Sequence, residues 1–337
     1  MRAVGYRQSQ AITAETSLID LELPAPVATG RDLLVRVKTV SVNPVDTKVR
    51  KRAQPAEGEV KVLGWDAAGI VEAIGPDVTS FKPGDEVFYA GAIDRPGSNA
   101  ELHLVDERIA GPKPKTLSFA EAAALPLTAI TAWEMLFDRL RIRDKVPGAA
   151  HAVLIVGGAG GVGSIAVQLA RQLTDLTVIA TASRPETQGW VRDLGAHHVI
   201  DHTKPLAAQV AALGLGAPGH VFSTTHTDSH LPEILELIAP QGRLGLIDDP
   251  ETLDANPLKR KSISLHWEMM FTRPLFQTAD MSEQGKLLAE VSRLVEAGTL
   301  KSTLADHYGR IDAANLKRAH GLIESNRAKG KIVLEGF

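Results

Sequence analysis

A chain of 337 residues with 44% hydrophobic and 23% charged residues has apolar material for about two ordinary globular domains. Its formal net charge of -3, with no basic block along the sequence, argues against nucleic acid or an anionic membrane as a partner. The absence of cysteine excludes disulfides, thiolate zinc sites and cysteine nucleophiles. No apolar run reaches membrane-spanning length and the start does not read as a signal peptide, so the expected compartment is the cytoplasm.

The opening Met1-Arg2-Ala3-Val4-Gly5-Tyr6 reads as a strand. Residues Leu33 to Val40 alternate at the strand period, and Gly69 to Gly75 and Gly84 to Tyr89 are short strands bounded by glycine and proline turns. Close spacing of short strands predicts a compact barrel-like domain. After Pro126 the pattern changes. A helix is expected over Thr128 to Phe137, followed by alternating strands (Ala152–Val156, Thr177–Ala182, His198–Ile200) and helices (Ile165–Leu173, Glu186–Leu194). That alternation predicts a doubly wound parallel sheet, and hence an α/β fold. Pro232 to Ile238 reads as a helix, with His226 and His230 on a Ser/Thr/Asp-rich loop before it. Arg243 to Ile247 follows as a strand. An amphipathic helix over Glu283 to Ala297 carries Leu287, Leu288, Val291, Leu294 and Val295 on one stripe. The tail strand Lys331 to Leu334 is expected to return to the first domain. The domain junctions are placed at 126/127 and 274/275.

The run Val153 to Gly163 carries the strongest functional signal. Gly158, Gly160 and Gly163 have the G-x-G-x-x-G spacing between a buried strand and a helix from Ser164 to Leu173, and Gly161 and Val162 within the turn are cofactor-binding candidates with them. In this pattern the first glycine permits the tight turn, the second lets the backbone approach a pyrophosphate, and the third lets helix and strand pack closely. The helix start then offers free N–H groups and partial positive charge to phosphate. NAD-specific sites place an acidic residue at the end of the second strand to hold the ribose 2′-OH. Here Asp175 lies before that strand and Ser183-Arg184 follow it. A hydroxyl and a guanidinium suit a 2′-phosphate, so NADPH is the expected cofactor.

Several ordered motifs extend the reading over nearly the whole chain. They are Ser41 to Thr47, Gly64 to Gly69, Phe81 to Val87, Asn99 to Glu101, Ala122 to Trp133 and the glycine turn. In these the chain resembles the medium-chain dehydrogenase/reductase superfamily, and within it the zinc-free quinone oxidoreductase branch and bacterial zinc-type alcohol dehydrogenase-like proteins. The resemblance implies a GroES-like β-barrel catalytic domain (1–126, completed by 275–337), a Rossmann domain (127–274) and a homodimer. Zinc enzymes of the superfamily bring a cysteine near the first motif and a His-Glu pair at the second. This chain has Asn43-Pro44 and Trp65-Asp66 there. No zinc is expected, because indole nitrogen only donates and a catalytic zinc needs three protein ligands.

Without a metal to stabilise an alkoxide, reduction of a quinone or another α,β-unsaturated carbonyl is the easier chemistry. Rival readings are a zinc alcohol dehydrogenase and a non-enzymatic NADPH-binding protein. By motif alignment, Asn43 is a donor to substrate or nicotinamide, or else an Asn-Pro turn residue. Lys48 stands one residue after the Asp46-Thr47 pair, where many quinone reductases have tyrosine; it would hold an oxyanion or phosphate, or be a solvated lysine. Trp65 walls the pocket or packs in the core. Thr131 matches a family threonine near the nicotinamide, or starts a helix. Thr224 and Thr225 are placed by the resemblance near ribose or nicotinamide, and His202 where the family has a tyrosine for the 2′-phosphate. Lys331 closes a basic segment, from Asn326, that the same resemblance places near the cofactor, or that is a solvated loop.

Overall fold

In the longest strand, β-branched and leucine side chains point inward while the charged ones stay out. Leu33, Val35 and Val37 are buried, Arg36 is exposed and Lys38 half-buried, as the two-residue period requires. The computed structural model describes residues 1–337, which divide into two compact units: Met1–Ile130 with Phe271–Phe337, and Thr131–Met270. The first unit begins with β1 (Arg2–Tyr6), β2 (Ile19–Glu22), β3 (Asp32–Val42), α1 (Pro44–Arg52), β4 (Lys61–Val62), β5 (Ala67–Ile74), β6 (Glu86–Tyr89), β7 (Leu102–Asp106), β8 (Ala110–Pro112) and α2 (Phe119–Ala123). The helix α1 was not foreseen. Asn43 caps it, Pro44 supplies a fixed φ at its first position, and Arg50, Lys51 and Arg52 complement its C-terminal partial charge.

The helix expected over Thr128 to Phe137 is instead an α-helix, α3 (Pro126–Trp133), that widens into a π-helix over Glu134–Arg139. The second unit then alternates β9 (Ala150–Val156), α4 (Gly161–Leu173), β10 (Thr177–Thr181), α5 (Pro185–Asp193), β11 (His198–Ile200), α6 (Leu206–Ala212), β12 (Pro218–Ser223), α7 (Thr227–Leu237), β13 (Arg243–Leu246) and β14 (Ser264–Trp267). All six strands run parallel in the order β11-β10-β9-β12-β13-β14. The order reverses beside β9, so the crevice for a ligand lies at the carboxyl ends of β9 and its neighbours. The sheet core is mainly apolar: Leu154, Val156, Ile179, Val221 and Leu244 are fully enclosed.

The loop reading of His226 and His230 is corrected. Helix α7 begins at Thr227 and runs through Pro232, so His230 lies in its early turns and His226 caps it with φ +51°. Ser, Thr and Asp suit the first turn of a helix as well as a loop, because their oxygens serve the unpaired amides there. In this case the acceptor comes from elsewhere: Asp248 takes the Thr227 N–H at 2.8 Å.

The chain returns to the first unit through α8 (Thr272–Leu275), α9 (Glu283–Glu296), β15 (Leu304–His307), α10 (Ala313–Glu324) and β16 (Lys331–Glu335). In α9, Leu287, Leu288, Val291, Leu294 and Val295 are all buried. Strand β16 pairs antiparallel with β3, Ile332 opposite Val42. Its sheet has the order β15-β16-β3-β5-β6-β8, with β7 also on β3, and β2-β1-β4 form a separate small sheet.

Candidate nucleotide site and a buried polar cluster

The glycine turn sits at the end of β9. Gly157 takes the left-handed conformation (φ +79°) that the tight turn needs, a role the spacing had given to Gly158. Gly158 is glycine for another reason: a Cβ there would lie 2.8 Å from Ala180 Cβ on the neighbouring strand. At Gly163 a Cβ would lie 2.1 Å from the Gly157 carbonyl oxygen, so the close helix–strand packing is real. At Gly160 the nearest atom is Gly157 O at 3.5 Å, an ordinary contact. The chain itself would therefore accept a methyl group at Gly160. Its absence leaves an open cradle in front of α4. The first intrahelical bond shown there is Ser164 N–H to Gly160 O at 2.9 Å, so the preceding amides of Gly161, Val162 and Gly163 have no acceptor in their own helix. A backbone cradle of this kind fits a pyrophosphate.

Thr181, the last residue of β10, ties the turn to its surroundings. Its Oγ1 accepts the Gly157 N–H at 2.9 Å and lies 3.3 Å from His202 Nδ1. Beyond it come Ser183, half-buried, and Arg184, which caps α5 and meets Glu186 at 3.3 Å. No acidic side chain ends this strand; Asp175, before it, is bonded to His151 at 2.7 Å. On the other side of the turn, Thr224 Oγ1 donates to Val156 O at 2.8 Å, and Thr225 Oγ1 is 2.7 Å from His226 Nδ1. The structure thus gathers Gly158, Gly160, Gly161, Val162, Gly163, Thr224 and His202 around one turn, with Ser183 and Arg184 at the adjacent strand end. Thr131 is buried in α3.

The first unit carries a different kind of site. Lys331, expected in a basic segment, is buried at the start of β16. Its ammonium donates to Val42 O at 3.0 Å and to Asn43 Oδ1, and lies 3.0 Å from Asp66 Oδ2. The Asn43 amide nitrogen donates to Asp66 Oδ2 at 2.9 Å, while Asp66 Oδ1 accepts the Leu127 N–H at 2.8 Å. Asp46 reaches back to the Asn43 N–H at 2.7 Å. Burial pushes the Asp46 carboxyl up to about 7, against the opposing pull of the Asn43 amide and Lys331. Burial also raises Asp66, with Lys331 and Asn43 opposing. Neither partner choice was legible in sequence, since residues 43, 66 and 331 meet only through the pairing of β3 with β5 and β16.

Trp65 is enclosed in the core rather than lining an open pocket: it is 1% exposed, donates its indole N–H to Ala92 O at 3.0 Å, and meets Phe271 edge-on at 6.1 Å between centroids. Lys48 is half-buried on α1. In the second unit, Glu268 and Glu134 form a buried carboxyl pair, with Arg139 bonded to Glu268 at 2.7 Å. Burial and the neighbouring Glu134 push Glu268 up to about 8.

A parallel six-stranded sheet with a glycine turn at its first strand, joined in sequence to a β-rich GroES-like unit, defines the class of two-domain NAD(P)-binding oxidoreductases. Residues 29–128 match the alcohol dehydrogenase GroES-like domain and residues 194–334 the zinc-binding dehydrogenase domain. A zinc-type alcohol dehydrogenase-like protein of Staphylococcus aureus (strain MSSA476) is 40% identical over 99% of both chains. A quinone oxidoreductase of Rattus norvegicus is 29% identical over 94% of this chain and 92% of its own. Among solved structures, that of a candidate zinc-dependent alcohol dehydrogenase from Rhizobium etli CFN 42 has a TM-score of 0.98 at 68% identity, covering 100% of this chain and 98% of its own. The chain belongs to the medium-chain dehydrogenase/reductase superfamily, among the zinc-type alcohol dehydrogenase-like proteins, and is an NAD(P)H-dependent oxidoreductase.

Proposed function

We propose that the protein is an NADPH-preferring, zinc-independent reductase of quinones or other α,β-unsaturated carbonyls. The observation that carries the cofactor reading is the open cradle at Gly160 beside a strand end bearing Ser183 and Arg184 and no acid. The amides of Gly161, Val162 and Gly163 bind the pyrophosphate. Ser183, Arg184 and His202 hold the 2′-phosphate, and Thr131, Thr224 and Thr225 orient the ribose and nicotinamide side. Bound there, the cofactor supplies a hydride for the electron-poor substrate.

Zinc does not fit the residues present. The superfamily's ligand positions hold Asn43 and Trp65; the Asn43 carboxamide is engaged at both ends and the indole nitrogen is a committed donor. An ammonium, Lys331, occupies the middle of the cluster, which repels a dication. No three His, Cys, Asp or Glu side chains converge as a metal site. The proposal therefore gives Asn43 and Lys331 positioning roles: they hold Asp66 and the start of α1, which carries Lys48. Lys48 donates to the oxygen that gains negative charge, the stabilisation this chemistry requires. The name of the rat relative, a quinone oxidoreductase, points to the same substrate class.

We further propose a cytoplasmic homodimer. Strand β14 is an edge of its sheet, with Trp267 50% and Met269 48% exposed at its end, an apolar edge that a second copy would cover. No helix is long and apolar enough to cross a membrane.

The test is turnover of NADPH and of NADH with benzoquinone and an enone, followed by nicotinamide absorbance before and after chelator. NADPH-preferring, chelator-resistant turnover is expected. Activity on an alcohol, lost together with stoichiometric zinc, would overturn the reading. Arg184→Ala should weaken NADPH binding by about 1.5–3 kcal/mol, the worth of a charge-assisted hydrogen bond, and leave NADH nearly unchanged. Equal losses for both cofactors would remove Arg184 from the 2′-phosphate site.

A further inference from the structure

Two histidines, His202 and His230, meet beside the proposed 2′-phosphate site from separate elements, with His226 at its border. His202 follows β11, and His226 and His230 open α7. The rings of His202 and His230 lie 6.4 Å apart, edge to face, and both side chains are half-buried. Through Thr181 Oγ1, His202 is two short polar contacts away from the glycine turn. His226 is exposed with its Nδ1 against Thr225, so it borders the cluster without entering it.

Resting on the NADPH reading above, we propose that His202 and His230 seat the 2′-phosphate together with Arg184, and that binding NADPH loads a proton onto this imidazole pair. Preference for NADPH over NADH then increases as pH falls.

The charges around the pair give the sign. His202 is held below the usual histidine range by burial first, then by His226 and Arg184, with Asp201 opposing. His230 is lowered by burial, His202 and His226, with Asp228 and Asp248 opposing. The carboxylates are partly spent: Asp201 is 3.6 Å from Lys204, Asp248 caps α7, and Glu186 faces Arg184. The empty site therefore keeps both rings neutral near neutral pH. A phosphate dianion reverses the balance, because it replaces water with two negative charges beside two imidazoles and a guanidinium. Ring protonation then turns each N–H···O contact into a charge-assisted one. Proton uptake on binding means affinity that rises as pH falls. A phosphomonoester is itself mostly dianionic above about pH 6.5, so its own titration stays out of the window. NADH carries no 2′-phosphate and draws no proton.

Dissociation constants of NADPH and NADH, measured on the full-length protein from about pH 6.5 to about pH 8.5, test this. We expect the NADPH constant to rise with pH by up to about tenfold per pH unit while the NADH constant stays flat, the slope that uptake of about one proton requires. Calorimetry in two buffers of different ionisation enthalpy should count that proton directly. His202→Gln/His230→Gln should flatten the NADPH profile and abolish the uptake, with an unchanged urea-unfolding midpoint as the check on folding. Should that variant lose NADH binding, the single variants His202→Gln and His230→Gln give the same readout, each with a shallower profile. NADPH preference without a pH slope, or a slope that survives the substitutions, would overturn this proposal and leave the NADPH reading intact. Equal affinity for both cofactors at every pH would overturn both.

Discussion

The glycine turn of the second unit and the polar cluster of the first are built on opposite principles. The turn is made of backbone. Its function depends on side chains being absent, and its amides stay open to a ligand. The cluster is made of side chains brought together across three strands, sealed from water, with Lys331, Asp66 and Asn43 consuming each other's hydrogen-bonding capacity. An open backbone site can tolerate loss of a contact without unfolding. A sealed ion pair cannot, because its attraction only offsets the desolvation of both charges and removing one partner leaves the other stranded.

Substituting Lys331 by Met should therefore cost about 3–5 kcal/mol of stability, measured by urea unfolding, because Asp66 loses its buried counter-charge and Asn43 Oδ1 its donor. The double variant Lys331→Met/Asp66→Asn should recover part of that loss, as a double-mutant cycle for coupled groups requires. A Lys331→Met protein that keeps its stability and loses NADPH would break the comparison, since Lys331 would then serve the nucleotide directly.

Two glycine variants sharpen the contrast within the turn itself. Gly163→Ala forces a Cβ against the Gly157 carbonyl and should cost about 1–3 kcal/mol of stability, the usual range for overpacking. Gly160→Ala meets only an ordinary contact and should change stability by less than about 0.5 kcal/mol, yet weaken NADPH binding roughly tenfold or more. Loss of stability at Gly160, or undiminished NADPH affinity, would show that the cradle is not where the pyrophosphate sits.

The Glu134–Glu268 pair offers the smallest effect. Its raised folded-state value, about 8 against an ordinary 4.5, means that the folded protein holds a proton the unfolded chain has released between those limits. Stability from this pair is full below pH 4.5 and is lost as pH rises through 8. Glu268→Gln keeps a neutral hydrogen-bonding group in place and should flatten that dependence. Melting measured at about pH 5 and about pH 9 should show near-equal stability at the lower pH and an advantage of about 1–2 kcal/mol for the variant at the higher. Parallel pH profiles would place the shared proton elsewhere.

The glycine turn was legible because it is local. A strand, five closely spaced glycines and a helix lie within residues 150–173, and Gly158 and Gly163 are required by contacts with the adjacent strand and with their own turn. Even so, the left-handed residue is Gly157 and not Gly158, since spacing marks where glycines fall and only backbone geometry says which one must be there. The His226/His230 segment misled for a related reason: Thr227-Asp228-Ser229 chemistry suits a helix start and a loop equally, and the deciding group, Asp248, belongs to another strand end. The partner of Lys331 was not legible at all, because nothing near residue 331 signals that Asp66 lies opposite.

By itself the sequence determined the α/β class, the β-rich and alternating halves, the glycine turn and the lack of an acid at the end of the second parallel strand. These depend on hydrophobic period, glycine placement and residue type, all properties of short segments. Tertiary structure decided which polar groups are buried, which are paired, and which histidines share a site. Burial and pairing are set by residues far apart in the chain, and a carboxylate, an ammonium or an imidazole takes its chemistry from what surrounds it.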